Sequence, residues 1–235
     1  MGDYTNMSPY YDVIMTSGYY DYAEIVDDLS SYGPFSSILE IGCGTGLILE
    51  ELGRRATGAQ IKGIDLTQAM LVQAQERLSP FPQISVEEQN VVELKLPRSY
   101  QAAFSYGGVW YFVLDGDKEP TMVSHISADA PNREGLKKLA AHIEPGGMLL
   151  LGTQGPHFDY EKPVSNGMTY AQKIEPSDHG FTKHYYLIDD GRKVMDQTID
   201  YRTYSWAQTL DLLGALGFTY QPREGARKFL AFKKA

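Results

Sequence analysis

The sequence predicts an α/β fold, a doubly wound and mostly parallel sheet, on three observations. Apolar runs of strand length alternate with stretches of helical spacing, the pattern of parallel strands covered by helices on both faces. Glycines at alternate positions, Gly42, Gly44 and Gly46, turn the first run into a helix, and an acid, Asp65, closes the second run. Free N–H groups at a helix start carry about half a positive unit and favour an acceptor-rich ligand. An acid at the neighbouring strand end is placed to accept from vicinal ribose hydroxyls.

In chain order, strands are expected at 37–42, 60–65, 84–89, 101–106 and 148–153, with helices over 46–56, 68–78 and 133–143. The last of these helices carries Leu136, Leu139, Ala140 and Ile143 on one face, and Pro145-Gly146-Gly147 stops it. Trp206 to Leu216 reads as a further helix that ends at Gly217. Ahead of the first strand, Asp21 to Leu29 reads as a helix burying Ile25, Val26 and Leu29. It lies in a segment crowded with tyrosines, among them Tyr4, Tyr11, Tyr19, Tyr20 and Tyr22, which suit a place apolar on one side and wet on the other.

Two stretches exceed a minimal core. Gly107 to Asn132 is too long for an ordinary connection. Gln154 to Tyr204 contains two aromatic, β-branched runs, Phe181 to Ile188 and Val194 to Tyr204, around Asp189-Asp190-Gly191, which is a hairpin signal. Inserted after the fifth strand, it would lie over the strand carboxyl ends, where open α/β sheets bind ligands. It reads equally as a substrate lid or as a stabilising side sheet.

Composition narrows the function. The 235 residues carry a net charge of −9, and no Lys/Arg run exceeds two, so neither nucleic acid nor an anionic membrane surface is an expected partner. The single cysteine, Cys43, excludes an intrachain disulfide and reads as a small filler beneath the glycine turn. No apolar run reaches membrane-spanning length and no leader pattern opens the sequence, so a cytoplasmic location is expected.

The E-x-G-x-G-x-G loop (Glu40, Gly42, Gly44, Gly46), the G-x-D-x-(S/T)-x-x-M-L segment (Gly63, Asp65, Thr67, Met70, Leu71) and Glu144-Pro145-Gly146-Gly147 carry a resemblance. Over about residues 36 to 153 the chain resembles class I S-adenosylmethionine-dependent methyltransferases of the small-molecule type. The resemblance implies a Rossmann-like methyltransferase fold, a seven-stranded mostly parallel sheet closed by an antiparallel pair at Phe218–Gln221 and Lys228–Lys233, with the hairpin as a lid insertion after strand five. The expected organisation is a helical cover over 1–35, a cofactor-binding core over 36–153, a β-rich lid over 154–205, and the closing helix and strands over 206–235.

S-adenosylmethionine is then the expected cofactor. Its methionyl end is expected against Glu40, Gly42, Cys43, Gly44 and Gly46, its ribose on Asp65, and its adenine among Leu66, Met70, Asn90 and Val91, with Ser105 nearby at the end of strand four. Relatives often place an acid where Asn90 stands, and its side-chain oxygen can accept from the exocyclic amine without charge. Tyr22 is expected to reach the cofactor's carboxylate, with Tyr11 as the other candidate and also a substrate contact. The cluster Tyr106, Trp110, Tyr111 and Phe112 stands where the reacting groups should meet; Trp110, Tyr111 and His184 are expected substrate contacts and Tyr106 a catalytic one. Methyl transfer from a sulfonium demands alignment above all, with a base only where the acceptor must lose a proton. His157 and His125 are the expected bases.

Absences narrow the reaction. Acids that hold magnesium in catechol-type enzymes are replaced by Ser105-Tyr106 and Thr153-Gln154, so no metal is expected. The expected reaction is metal-independent methyl transfer to a nitrogen, or an oxygen, of a small-molecule acceptor, by a monomer or homodimer. The rivals are a methyltransferase-like fold that binds the cofactor without transfer, as a cyclase or sensor, and a nicotinamide oxidoreductase, which the tight glycine spacing disfavours.

Overall fold

The computed structural model describes residues 4–55, 58–225 and 227–235. Five parallel strands form the centre: β1 (Ser37–Ile41), β2 (Gln60–Asp65), β3 (Ile84–Glu88), β4 (Tyr100–Ser105) and a long strand, Ile143–Gln154, whose label in chain order is β7. They lie in the order β3-β2-β1-β4-β7. The chain winds outward from β1 to β3, then resumes at β4 on the other side of β1. That reversal between β1 and β4 leaves a crevice at their carboxyl ends.

Helices α2 (Tyr22–Ser30), α3 (Leu47–Arg54) and α4 (Gln68–Leu78) cover one face of the sheet, sharing a core with Ile38, Ile61 and Phe104. Helices α5 (Asp129–Ala141) and α6 (Trp206–Gly214) cover the other face, where Leu136, Leu139, Leu212 and Leu213 meet Leu39, Ala103 and Leu149. The local reasons are visible in the termini. Asp21 accepts from the Glu24 N–H at 3.0 Å to start α2, with Ile25, Val26 and Leu29 buried as the stripe requires. Ser205 and Gln208 form a reciprocal capping box at the start of α6.

The closing pair, β12 (Phe218–Gln221) and β13 (Phe229–Lys234), is antiparallel, and β13 runs antiparallel along Met148–Gly152 of β7. All seven expected strands are therefore present, but they are not the whole sheet. Among the described residues the mixed sheet has thirteen strands. Beyond Gly152, the last residues of β7 pair instead with β5 (Trp110–Val113), at Thr153 and Gln154. From there the sheet continues antiparallel through β6 (Thr121–Ser124), β11 (Arg192–Tyr204), β10 (Gly180–Asp189), β9 (Thr169–Ser177) and β8 (Tyr160–Pro163).

The stretch 107–132 is thus a hairpin and the start of α5, and the late insertion is four strands rather than one hairpin. The expected turn is present: Asp190 and Gly191 have φ of 44° and 76°, the paired positive values of a tight hairpin. The inner face of this second half of the sheet packs on the N-terminal segment and α1 (Tyr11–Thr16), through Met7, Ile14, Met15, Tyr111, Tyr170, Leu187 and Tyr201. No helix among the described residues is long and apolar enough to cross a membrane.

Candidate functional site

The crevice at the β1/β4 reversal opens into one cavity of about 940 Å³, counting its mouth. Its floor is the glycine loop and the end of β2. Its ceiling comes from the N-terminal segment, β5, β10 and β11.

The floor is built locally. Gly42, Gly44 and Gly46 all have positive φ, 74°, 53° and 80°, which a side chain would strain. The Gly42 and Cys43 N–H groups donate to the Ile64 carbonyl at 2.8 and 3.0 Å, fixing the loop to β2. Asp65 accepts from the Gly44 N–H at 2.8 Å and from the Thr67 N–H at 2.8 Å, one bond to each oxygen. Asp65 lines the cavity. Burial raises its carboxyl above the ordinary value, and the backbone donors oppose that. Tyr11 lies over Gly44, close enough that a Cβ there would meet its ring at 3.7 Å. Asp12 clamps this cover down: it accepts from the Thr45 hydroxyl at 2.6 Å and pairs with Arg77, which also holds Glu50 at 2.9 Å.

Of the residues read as cofactor contacts, Gly42, Gly44, Asp65, Leu66, Met70 and Val91 line the cavity. Glu40 and Ser105 lie behind the loop, buried, and Glu40 Oε2 and Ser105 Oγ have no hydrogen-bond partner among the described residues. Burial, and then the nearby Asp65, push the Glu40 carboxyl well up. Cys43 is buried beneath the loop and Gly46 starts α3, packed on Leu78 and Ala74. Asn90 is not on the wall: its oxygen accepts from the Val92 N–H at 3.0 Å and caps the short helical turn Val91–Glu93. Gln89 lines the cavity in its place. Tyr22 also lies off the wall, edge-on to Tyr20, which does line it.

The ceiling sorts the aromatic cluster by strand parity. Tyr111 faces the cavity, whereas Trp110 and Phe112 on either side of it enter the opposite core. Trp110 is fully buried and its indole N–H donates to Asn132 Oδ1 at 2.8 Å, so it is a core anchor and not a substrate contact. Tyr106 points to the α2 face, its hydroxyl donating to the Thr153 carbonyl at 3.4 Å and its ring against Tyr20 and Phe229. His184 lies on the outer face of β10, bonded to Thr198 Oγ1 at 2.9 Å and 3.6 Å from Glu175. Its neighbours Lys183 and Tyr185 point inward and line the cavity.

His125 does line the cavity, with Nδ1 bonded to the Tyr4 hydroxyl at 3.2 Å. Tyr4 and Tyr201 hydroxyls are 3.1 Å apart, and those of Tyr185 and Tyr201 2.6 Å. His157 stands just outside, bordering a neighbouring outer depression, but its Nε2 reaches the Tyr111 hydroxyl at 3.0 Å. Burial, reinforced by Lys183, lowers both histidines to about 3, so both imidazoles are neutral at ordinary pH. Lys183, 2% exposed, is lowered by burial to about 7. Lys183, Tyr185 and Tyr201 were not among the expected site residues. The signal lay in β11, where Met195, Gln197, Ile199 and Tyr201 face inward and Asp196, Thr198 and Asp200 alternate outward. Pairing across the Asp-Gly turn sets His184 opposite Thr198, on the outer face, and Lys183 opposite Ile199, on the inner.

Positive-φ glycines close under a ring, an acid on the cavity wall, and a buried carboxyl behind the loop with one oxygen unpartnered among the described residues suit a nucleoside carrying an amino-acid tail. Residues 38–147 match the family described as a methyltransferase domain. Malonyl-(acyl-carrier protein) O-methyltransferase 2 of Ilyobacter polytropus is 22% identical over 161 residues, 68% of this chain and 53% of that protein. The malonyl-(acyl-carrier protein) O-methyltransferase of Halalkalibacterium halodurans is 28% identical over 181 residues, 76% of this chain and 55% of that protein. The matches span about half the length of these relatives. Among solved structures, an S-adenosylmethionine-dependent methyltransferase of Clostridium acetobutylicum has a similar fold, with a TM-score of 0.72 at 16% identity over 98% of this chain and 97% of that one. DesVI of Streptomyces venezuelae gives 0.66 at 19% identity over 97% of each chain. Residues 38–147 are accordingly identified as a methyltransferase domain, and the fold of the chain is that of S-adenosylmethionine-dependent methyltransferases.

Proposed function

We propose that this protein transfers a methyl group from S-adenosylmethionine to a nitrogen of a small-molecule acceptor, without a metal, by in-line displacement. One observation carries the reading: the glycine-loop floor and the tyrosine-lined ceiling bound the same cavity, so cofactor and acceptor would meet in one space. The cofactor supplies an electrophilic methyl on a sulfonium. Asp65 would accept from the ribose hydroxyls, Gly42 and Gly44 would bring the backbone against the methionyl end, and Met70 and Val91 would flank the adenine.

The protein's remaining task is alignment, worth about 7–11 kcal/mol where reacting atoms are held in line. Tyr4, Tyr11 and Tyr111 border the space where the acceptor would lie, and aromatic faces around a cation contribute about 0.5–2 kcal/mol. The strand ends that would hold a metal carry Ser105-Tyr106 and Thr153-Gln154, which supports metal independence. Nitrogen is favoured over oxygen by the names of two structural relatives, a sugar N-methyltransferase from Streptoalloteichus and a methyltransferase of an amino pentose from Micromonospora echinaspora, whose substrate carries an amine. On this reading 1–35 and 154–205 act as cover and lid over the 36–153 core. Incubation with methyl-labelled cofactor and a panel of amino sugars, small amines and hydroxylated analogues tests it. Label appearing in an amine product supports the reading; label retained on a tightly bound cofactor across the panel would replace it with a cofactor-binding module.

A further inference from the structure

Lys183 is buried, lines the cavity, and has no carboxylate partner among the described residues. Its Nζ lies 3.4 Å from His157 Nδ1, and His157 Nε2 lies 3.0 Å from the hydroxyl of Tyr111, a residue that lines the cavity. We propose that Tyr111, His157 and Lys183 form a proton relay that draws the proton from an ammonium acceptor and stores it on Lys183. The proposal rests on the reading of a nitrogen acceptor given above.

The two states of the chain balance. With Lys183 neutral, His157 carries its proton on Nδ1 and donates to Nζ, and Tyr111 donates to Nε2. The acceptor ammonium passes one proton to the Tyr111 oxygen as the phenolic proton moves to Nε2 and the Nδ1 proton moves to Nζ. Lys183 is then an ammonium, His157 is the other neutral tautomer, and Tyr111 is again a phenol. The freed amine lone pair forms the N–C bond as the methyl C–S bond breaks, its electrons staying on sulfur as a thioether. The product is a methylated ammonium. Neither phenolate nor imidazolium is needed, which matters because burial opposes both: the Tyr111 hydroxyl is pushed well up and His157 down to about 3. A relay store should titrate near working pH, and Lys183, lowered to about 7 by burial, does.

His157 from the β7–β8 connection bonds Lys183, the Tyr185 ring centroid beside it on β10 is 5.1 Å away, and His125 from the loop after β6, Tyr111 from β5, Tyr201 from β11, Tyr4 from the N-terminal segment and the carboxylate of Asp65 line the same cavity. His157 also borders the outer depression beside Gly155 and Phe158, which gives the stored proton a way to bulk water.

The test is imidazole nitrogen NMR on the full chain saturated with S-adenosylhomocysteine, from pH 5 to 9. The relay predicts that His157 stays neutral throughout while its protonated nitrogen changes from Nε2 to Nδ1 as pH rises through about 7, and that Lys183→Met abolishes the change. An imidazole that protonates in the ordinary range near 6.5, or that keeps one tautomer across the titration, overturns it. With an amine acceptor from the labelled panel, Lys183→Met and His157→Gln should each lower kcat at least tenfold with KM and S-adenosylhomocysteine affinity unchanged. A full loss in Lys183→Met with none in His157→Gln would overturn the relay in favour of direct transfer to Lys183. Absence of any amine product would instead remove the acceptor reading, while the tautomer titration still decides the relay.

Discussion

The floor and the ceiling of the cavity are made in opposite ways. The floor is a run of neighbours: Gly42 to Gly46 and Asp65 to Met70 belong to two strand–loop–helix units, and their bonds join adjacent parallel strands. The ceiling gathers Tyr4, Tyr111, His125, Lys183, Tyr185 and Tyr201 from parts of the chain up to 197 positions apart, as in the Tyr4–Tyr201 pair. A floor of this kind is fixed once two strands pair. A ceiling of this kind depends on the parity of each strand, since a shift of one residue turns every side chain over.

Trp110 and Tyr111 test that parity most severely. Trp110 is fully buried among Leu136, Leu139 and Phe112, with its N–H satisfied by Asn132, which also accepts from Ser124 and donates to the Ile126 and Ala128 carbonyls. Trp110→Ala is expected to cost about 3–5 kcal/mol of stability, measured by urea unfolding. A loss below about 1 kcal/mol, with a large rise in acceptor KM, would return Trp110 to the cavity.

Next in size is an effect of pH on the ceiling. His125 titrates at about 3 in the folded protein against 6.5 ordinarily, because of burial first and of Lys183 and His157 second. Between those values the unfolded chain binds a proton that the folded one refuses, so stability rises with pH across the window. It is complete above pH 6.5 and is lost on acidification toward 3, with a limiting slope of about 1.4 kcal/mol per pH unit for this group. Replacing His125 by Gln should reduce the slope of unfolding free energy against pH between 6.5 and 4.5. An unchanged slope would show that the imidazole protonates freely, so that it is not enclosed.

The floor offers a smaller but sharper effect. Asp65→Ala should weaken S-adenosylhomocysteine binding at least tenfold, on the order of 1.4 kcal/mol, by calorimetry. It also frees the Gly44 and Thr67 N–H groups, so unfolding should be measured alongside. Unchanged affinity in a stably folded variant would remove the ribose assignment.

The contrast explains what could be read in advance. The doubly wound order, the glycine loop and Asp65 follow from local spacing, and so does the α2 stripe of Ile25, Val26 and Leu29. β5 and β6 were missed because four-residue apolar runs beside a polar loop resemble any buried segment, and only pairing with β7 and β11 makes them strands. Asn90 has the right chemistry at the right strand end, but its oxygen is consumed by a turn it begins. Long-range pairing, which no local window contains, decides which of two adjacent polar residues on β10 faces the cavity.

His184 makes that last point testable at the smallest scale. Periodicity groups it correctly with Tyr186, its stacked neighbour at 6.4 Å, but β10 turns that face to solvent. Its partners are the Thr198 hydroxyl and the carboxylate of Glu175, whose side chain is 72% exposed, so that contact is screened by solvent. His184→Ala should therefore change stability by no more than about 0.5 kcal/mol and leave methyl-transfer rates as they are. Lys183, one residue earlier and equally polar, points the other way and has lost its water. Lys183→Met should raise the unfolding midpoint at neutral pH, because the unfolded lysine binds a proton there that burial weakens in the folded chain. A pair of substitutions one position apart, one silent and one stabilising yet inactivating, is the signature of a strand whose inner face serves chemistry. Reversed effects, with His184→Ala inactivating and Lys183→Met silent, would mean that β10 is set one residue out of register.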